Sequence, residues 1–169
     1  LAARSLSSEA PGEVEVRRSL VDGDLLDCVV ALPQVLYAPD EEPACLWFVA
    51  REKRVPNGRD RRGEVLFIDA RRLGGRATRW SRELSGHHVN LIADLYRTWR
   101  GEAGVSRYRD VAGLCRRVGL EEIQAGGYRL DPAHFVGQAT AREEANRDNE
   151  SATVRDLIDL EALDLWQSR

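Results

Sequence analysis

Three histidines, three cysteines and one carboxylate at the end of an apolar run are the residues of this chain that could do chemistry, and their spacing limits what that chemistry is. His87 and His88 are adjacent, so on a helix they point about a third of a turn apart and do not share a metal as an i, i+4 pair does. His88 continues an apolar face and reads as a packed core histidine; His87 reads as a surface residue, and His134 beside Phe135 carries no pattern. Asp69 ends the run VLFID, a position that often lines active sites in open α/β sheets. Its simpler role is to cap the following turn, and the absence of a partner base or metal ligand nearby in sequence favours the cap. The chain has no GxSxG elbow, no Walker loop and no GxGxxG; Gly74-Gly75 and Gly126-Gly127 lack the flanking strand and helix. No nucleophile, base and orienter can be assembled, so no catalytic, cofactor-binding or metal-binding residue is assigned.

Cys28, Cys45 and Cys115 sit inside apolar runs without CxxC spacing. An odd number of cysteines at such positions predicts reduced core thiols and a cytoplasmic protein. At 169 residues and 43% hydrophobic content, the chain can bury a core without disulfides or metal. No apolar run approaches the roughly 18 residues of a membrane span, and no repeat is visible. The sequence has no Met and starts at Leu1, which reads as a piece of a longer polypeptide.

The elements that must position these residues follow from periodicity. LAARSLSS reads as the end of a strand running into a turn, and Pro11 to Leu20 as a helix of two or three turns that stops before Asp22-Gly23. Leu25 to Leu32 and Ala44 to Ala50 are short apolar runs that predict two buried strands. Their eleven-residue connection, Pro33 to Pro43, holds three prolines and is too long for a tight hairpin, so it reads as a functional or covering loop. Two successive strands without a helix between them predict an antiparallel pair at the end of the sheet. A polar turn, Arg51 to Gly63, leads into a strand over Glu64 to Asp69. Leu84, His88, Leu91, Ile92, Leu95, Tyr96 and Trp99 mark one face of an amphipathic helix that Gly101 ends. Val111 to Val118 reads as a strand, Leu120 to Gln124 as a short helix, and Tyr128 to Val136 as irregular with a turn at Asp131-Pro132. Residues 1–137 thus form one unit, 138–150 a polar linker, and 151–169 a terminal helix capped by Thr153. Strands interleaved with helices give an α/β layer structure.

Charge is segregated behind a net −3. Arg51 to Arg79 holds ten Lys or Arg against four Asp or Glu, and Thr140 to Arg169 holds eight acidic residues against four basic ones. Both patches read as solvated surface or, alternatively, as a face for nucleic-acid phosphates and a face for a protein partner.

The segments SLSSEAPGEVEVRRSLVDGDLLDCVVALPQVLYAPDEEPACLWFVAREK, RRGEVLFIDAR, ELSGHHVNLIADLYRTWRG and LEEIQAGGYRLDPAHFVG, taken in order, resemble the C-terminal part of the methyltransferase (modification) subunit of type I restriction-modification systems. These are N6-adenine DNA methyltransferases, and the likeness runs from about Leu6 to Gly137. It implies part of a Rossmann-like sheet of mostly parallel strands with one reversed near the edge. It also implies S-adenosylmethionine as cofactor of the full-length protein, on a glycine-rich loop, and an Asn-Pro-Pro-aromatic loop for the flipped adenine. Neither motif is in this sequence, and the family pattern places both upstream of Leu1; the chain alone is therefore expected to be inactive and to bind no cofactor. In related enzymes an aromatic residue between the last two antiparallel strands stacks on the extruded base, and Tyr37 in PQVLYAP matches that place. Such stacking is worth on the order of 1–3 kcal/mol, although an aromatic in a long loop also serves as a lid over the core. Asp40, Glu41 and Glu42 beside it would repel DNA phosphates. Implied partners are DNA and a separate specificity subunit, with a homo-oligomer through an exposed sheet edge as a further expectation. The alternative to an enzyme fragment is a non-enzymatic module that docks on the specificity subunit through its acidic terminal helix.

Overall fold

Six successive residues, Leu26–Ala31, are each at most 2% exposed, and they form the strand around which the sheet is built. A computed structural model describes residues 2–33, 43–54, 58–76, 82–102 and 107–137. In chain order, a 3-10 turn (Ala3–Leu6) precedes α1 (Pro11–Asp22), β1 (Leu26–Ala31), β2 (Cys45–Val49) and β3 (Glu64–Asp69). A short hairpin, β4 (Gly75–Arg76) and β5 (Arg82–Glu83), leads to α2 (Gly86–Arg100), β6 (Cys115–Gly119), α3 (Leu120–Ala125) and α4 (Pro132–Val136).

The main sheet has the order β2-β1-β3-β6. β1 runs parallel to β3, in register Ala31↔Asp69, and antiparallel to β2; β6 runs antiparallel to β3. The α/β class and the antiparallel pair read from the sequence are both present. β1 is covered on both faces, which is why it is a continuous apolar run rather than an alternating one. On one face Leu26, Val29, Val65 and Phe67 pack with Val21 of α1, Ile123 of α3 and Phe135 of α4. On the other, Val30, Leu66 and Ile68 pack with Trp99 of α2. The Phe67 and Phe135 rings lie 4.3 Å apart between centroids, which places α4 directly on β3.

Arg17 ties the start of the chain to this core. Its side chain donates to the carbonyls of Ser5 (2.8 Å), Ser8 (2.5 Å) and Tyr128 (2.8 Å), and it is 1% exposed. Tyr128 holds a left-handed backbone, φ 60°, and Leu130 N–H donates to Leu6 O. A charged donor serving three carbonyls explains how a guanidinium is tolerated there.

Three expectations change. The strand read over Val111 to Val118 begins only at Cys115, because Gly113 (φ 75°) and a bridge between Val111 and Cys115 make the first part a tight turn. Asp131-Pro132 starts a helix instead of an isolated turn: the Asp131 carboxylate accepts from Ala133 N–H and Pro132 occupies the first helical position, where its missing N–H costs nothing. His88 is not a core residue. It sits in the third position of α2, where its Nδ1 accepts from the Ser85 N–H at 3.2 Å as part of a capping box. No described helix is long and apolar enough to cross a membrane.

Candidate functional site

β1 and β3 end side by side, and in an open α/β sheet the crevice beyond such carboxyl ends is where ligands bind. The connection that holds Tyr37 leaves from this end. Its stems are described and its tip is not: Leu32 and Pro33 are buried, and Leu32 N–H donates to Ala44 O at 3.0 Å, closing the base of the loop. Tyr37 and the acidic trio Asp40, Glu41 and Glu42 lie outside the described residues.

Asp69 stands at the same end of the sheet. Its Oδ1 accepts from the Arg71 backbone N–H (3.2 Å) and from Arg71 Nε (2.8 Å), and its Oδ2 from the other arm of the guanidinium (2.6 Å). Arg71 also lies 3.3 Å from Asp131, and Asp69 holds the Arg71 guanidinium in its charged form more firmly than water does. The bonds from Arg71, its backbone N–H included, make Asp69 the cap of the turn that follows β3.

Behind the loop stem, a cavity of about 660 Å³ lies between the sheet and α2. Leu32, Leu46, Phe48, Ile92 and Tyr96 make its walls apolar. The Phe48 and Tyr96 rings are 4.9 Å apart. Tyr96 reaches from this wall to a buried ion pair: its hydroxyl donates to Asp27 Oδ2 at 2.7 Å, and Arg61 Nε donates to Oδ1 at 3.3 Å. Burial first, and then the bond to Asp27, push the Tyr96 hydroxyl well above the ordinary tyrosine range. Asp27 sits at a bulge in β1, which turns its side chain out of the regular alternation.

Two cations of the basic run are internal. Lys53, 2% exposed, donates to Asp24 at 2.5 Å and to Glu64 O at 2.8 Å; Arg61, 1% exposed, pairs with Asp27; Arg59 pairs with Glu64. On the surface Arg62 holds Asp60, whose carboxyl is drawn down to about 2 mainly by that side-chain bond. Five of the run's cations, Arg71 included, are paired with carboxylates; Lys53 and Arg61 are interior, which neither the solvated-surface reading nor the phosphate-face reading anticipates. Cys28, Cys45 and Cys115 are all buried thiols outside any disulfide, and burial raises the pKa values of Cys28 and Cys45. Among the described residues no group of three His, Cys, Asp or Glu could hold a metal.

A family model described as N-6 DNA Methylase matches residues 1–144, most of the chain. The chain belongs to the N-6 DNA methylase family. It is similar to the type I restriction enzyme HindI methylase subunit of Haemophilus influenzae, with 38% identity over 144 residues that make up 85% of this chain and 30% of that protein. Its fold matches the methyltransferase subunit of a type I restriction-modification system from Streptococcus thermophilus, with a TM-score of 0.61 and 18% identity, over 79% of this chain and 25% of that one. A second match, at TM-score 0.57 and 17% identity, covers 99% of this chain and 35% of a chain from work on complex assembly and conformational transition of the type I system. The chain spans under a third of the length of the curated relative, and its likeness to type I methylase subunits holds across that span.

S-adenosylmethionine is the methyl donor that such methylase relatives imply for the full-length family. Gly74 is a glycine because a Cβ would meet the Glu83 carbonyl at 2.9 Å, a demand of the β4-β5 hairpin. The stem after β1 is buried Leu32-Pro33, and Asp69 accepts two bonds from Arg71 on Oδ1 and one on Oδ2.

Proposed function

We propose that this chain is the part of a type I DNA adenine-N6 methyltransferase that carries the antiparallel end of the catalytic sheet and lays Tyr37 over the extruded adenine. The observation that carries the reading is the β1-β2 pair, whose connecting loop departs beside the carboxyl ends of β1 and β3. A base taken out of its stack loses two partners, and an aromatic face at that place restores one. The cofactor site and the Asn-Pro-Pro-aromatic loop are supplied from outside these residues, so the chain by itself transfers no methyl group. In the whole enzyme a specificity subunit chooses the DNA target, and the acidic segment 138–169, outside the described residues, is the docking element.

Methyl transfer from labelled S-adenosylmethionine to unmodified target DNA tests this. The isolated chain is expected to give no turnover; measurable turnover would sink its dependence on other residues. In the intact enzyme, Tyr37→Ala is expected to lower kcat by roughly 5- to 150-fold, the equivalent of 1–3 kcal/mol, with the KM for cofactor unchanged. An unchanged kcat removes Tyr37 from the base site.

A further inference from the structure

The start of α2 is closed by an imidazole. Ser85 and His88 form a capping box: the Ser85 side chain accepts from the His88 backbone N–H, and His88 Nδ1 accepts from the Ser85 N–H at 3.2 Å. Acceptance at Nδ1 leaves the ring proton on Nε2, so the box closes around a neutral ring. Glu and Gln, the common residues at this place, remain acceptors at mildly acid pH; a histidine does not.

Little else secures this turn. Gly86 opens it with no atom near the place of a Cβ, no acidic residue answers the positive end of the helix, and Val89 is 52% exposed. The apolar contacts lie on either side, with Leu84 ahead of the turn and Leu91, Ile92 and Leu95 beyond it. Leu84 and Val89 also line the 660 Å³ cavity, so this stretch forms part of its wall.

The charges around His88 oppose a proton. The His87 ring lies 6.0 Å away, and burial first, then His87, keeps His88 below its ordinary value of 6.5. No carboxylate offsets them, although Glu83 stands exposed two residues ahead of the cap. Asp27 and Arg61, between the sheet and α2, sit by Tyr96 and Trp99 in the last turns of the helix and neutralise each other.

We propose that the Ser85–His88 box is an acid-released latch: protonation turns Nδ1 from acceptor to donor, strands the Ser85 N–H and frees the first turn of α2 from the mouth of the cavity. The new N–H meets Ser85 Oγ, 2.7 Å away, which answers the imidazolium but leaves the Ser85 amide open. The added cation also faces the positive end of the helix. The latch is independent of any role for Tyr37.

Nitrogen NMR and amide exchange on this chain test the latch. His88 is expected to hold its proton on Nε2 at neutral pH and to titrate below about 6.5; a proton on Nδ1, or a midpoint at or above that value, overturns the proposal. Between about pH 7.5 and pH 5, exchange of the Ser85, His88 and Val89 amides, corrected for its intrinsic pH dependence, is expected to rise about fivefold or more. His88→Gln keeps an acceptor that does not titrate and should hold that rise within about twofold. Equal rises in the two chains, or none in the unaltered one, overturn the proposal. Fluorescence of anilinonaphthalene sulfonate reads the cavity: acid should raise it more in the unaltered chain than in His88→Gln, and equal gains overturn the opening of the mouth.

Discussion

Replacing Asp27 by alanine should be among the most damaging single changes available in this chain. Asp27 is fully buried, and Arg61, whose side chain is 2% exposed, faces it at 3.3 Å. Without the carboxylate, the Arg61 guanidinium keeps a 3.4 Å contact to the Arg59 carbonyl, and the Tyr96 hydroxyl loses its 2.7 Å acceptor. Removing one partner of a buried pair costs about 3–5 kcal/mol, because the surviving charge stays out of water. That is about a fifth or more of the roughly 5–15 kcal/mol by which a domain is stable. With a urea m value of about 1–3 kcal/mol/M, the unfolding midpoint should fall by roughly 2 M at unchanged m. The paired change Asp27→Leu with Arg61→Met removes both charges and should cost less than half as much, since a buried pair exchanged for apolar groups of similar volume is often neutral. Equilibrium urea unfolding followed by tryptophan fluorescence reads both. A loss under about 1 kcal/mol for Asp27→Ala, or a double variant as unstable as the single one, would refute the reasoning from uncompensated buried charge.

Two tyrosines, Tyr96 of this cluster and the buried Tyr108 elsewhere, predict an alkaline weakness. The pKa values of Tyr96 and Tyr108 are raised above the unfolded tyrosine value near 10, so above that pH the unfolded chain has lost protons that the native one keeps. Stability should be level from about pH 8 to about pH 10 and fall as pH rises beyond it, and Tyr96→Phe should shallow that fall in denaturation curves taken from pH 8 to 11. Arg17→Met strands three carbonyls at once and should lower stability by about 2–4 kcal/mol. The melting temperature should drop by roughly 5–15 °C in a calorimetric scan, with Arg17→Lys recovering only part; no drop would show that water reaches those carbonyls readily.

Much of the candidate site's scaffold was legible because its causes are local. The length and branching of Leu26–Ala31, Cys45–Val49 and Glu64–Asp69 specify strands, and the 3.6-residue recurrence from Leu84 to Trp99 specifies α2, stopped by Gly101 at φ 67°. The succession of two strands without a helix also announced the antiparallel pair. The ordered motifs carried the family. Asp131-Pro132 was ambiguous for a local reason: the same dipeptide opens a turn or caps a helix, and the packing of Phe135 on Phe67 selects the helix. His88 was misread because its position on the apolar stripe said nothing of Ser85, whose N–H it caps.

The residues from Arg51 to Arg79 mark where sequence reading stops. In composition they are an exposed basic run, yet Lys53 and Arg61 are among the most buried side chains, paired with Asp24 and Asp27 from 29 and 34 residues earlier in the chain. No local pattern announces a charge that will be neutralised by a carboxylate on another element, because its cost depends on a distance that exists only once β1 and β3 lie side by side. By itself, then, the sequence determined the elements, the antiparallel pair and the family. Only the tertiary structure decided which charges are interior and which carboxylates are already spoken for, since burial and pairing are properties of the assembled layers.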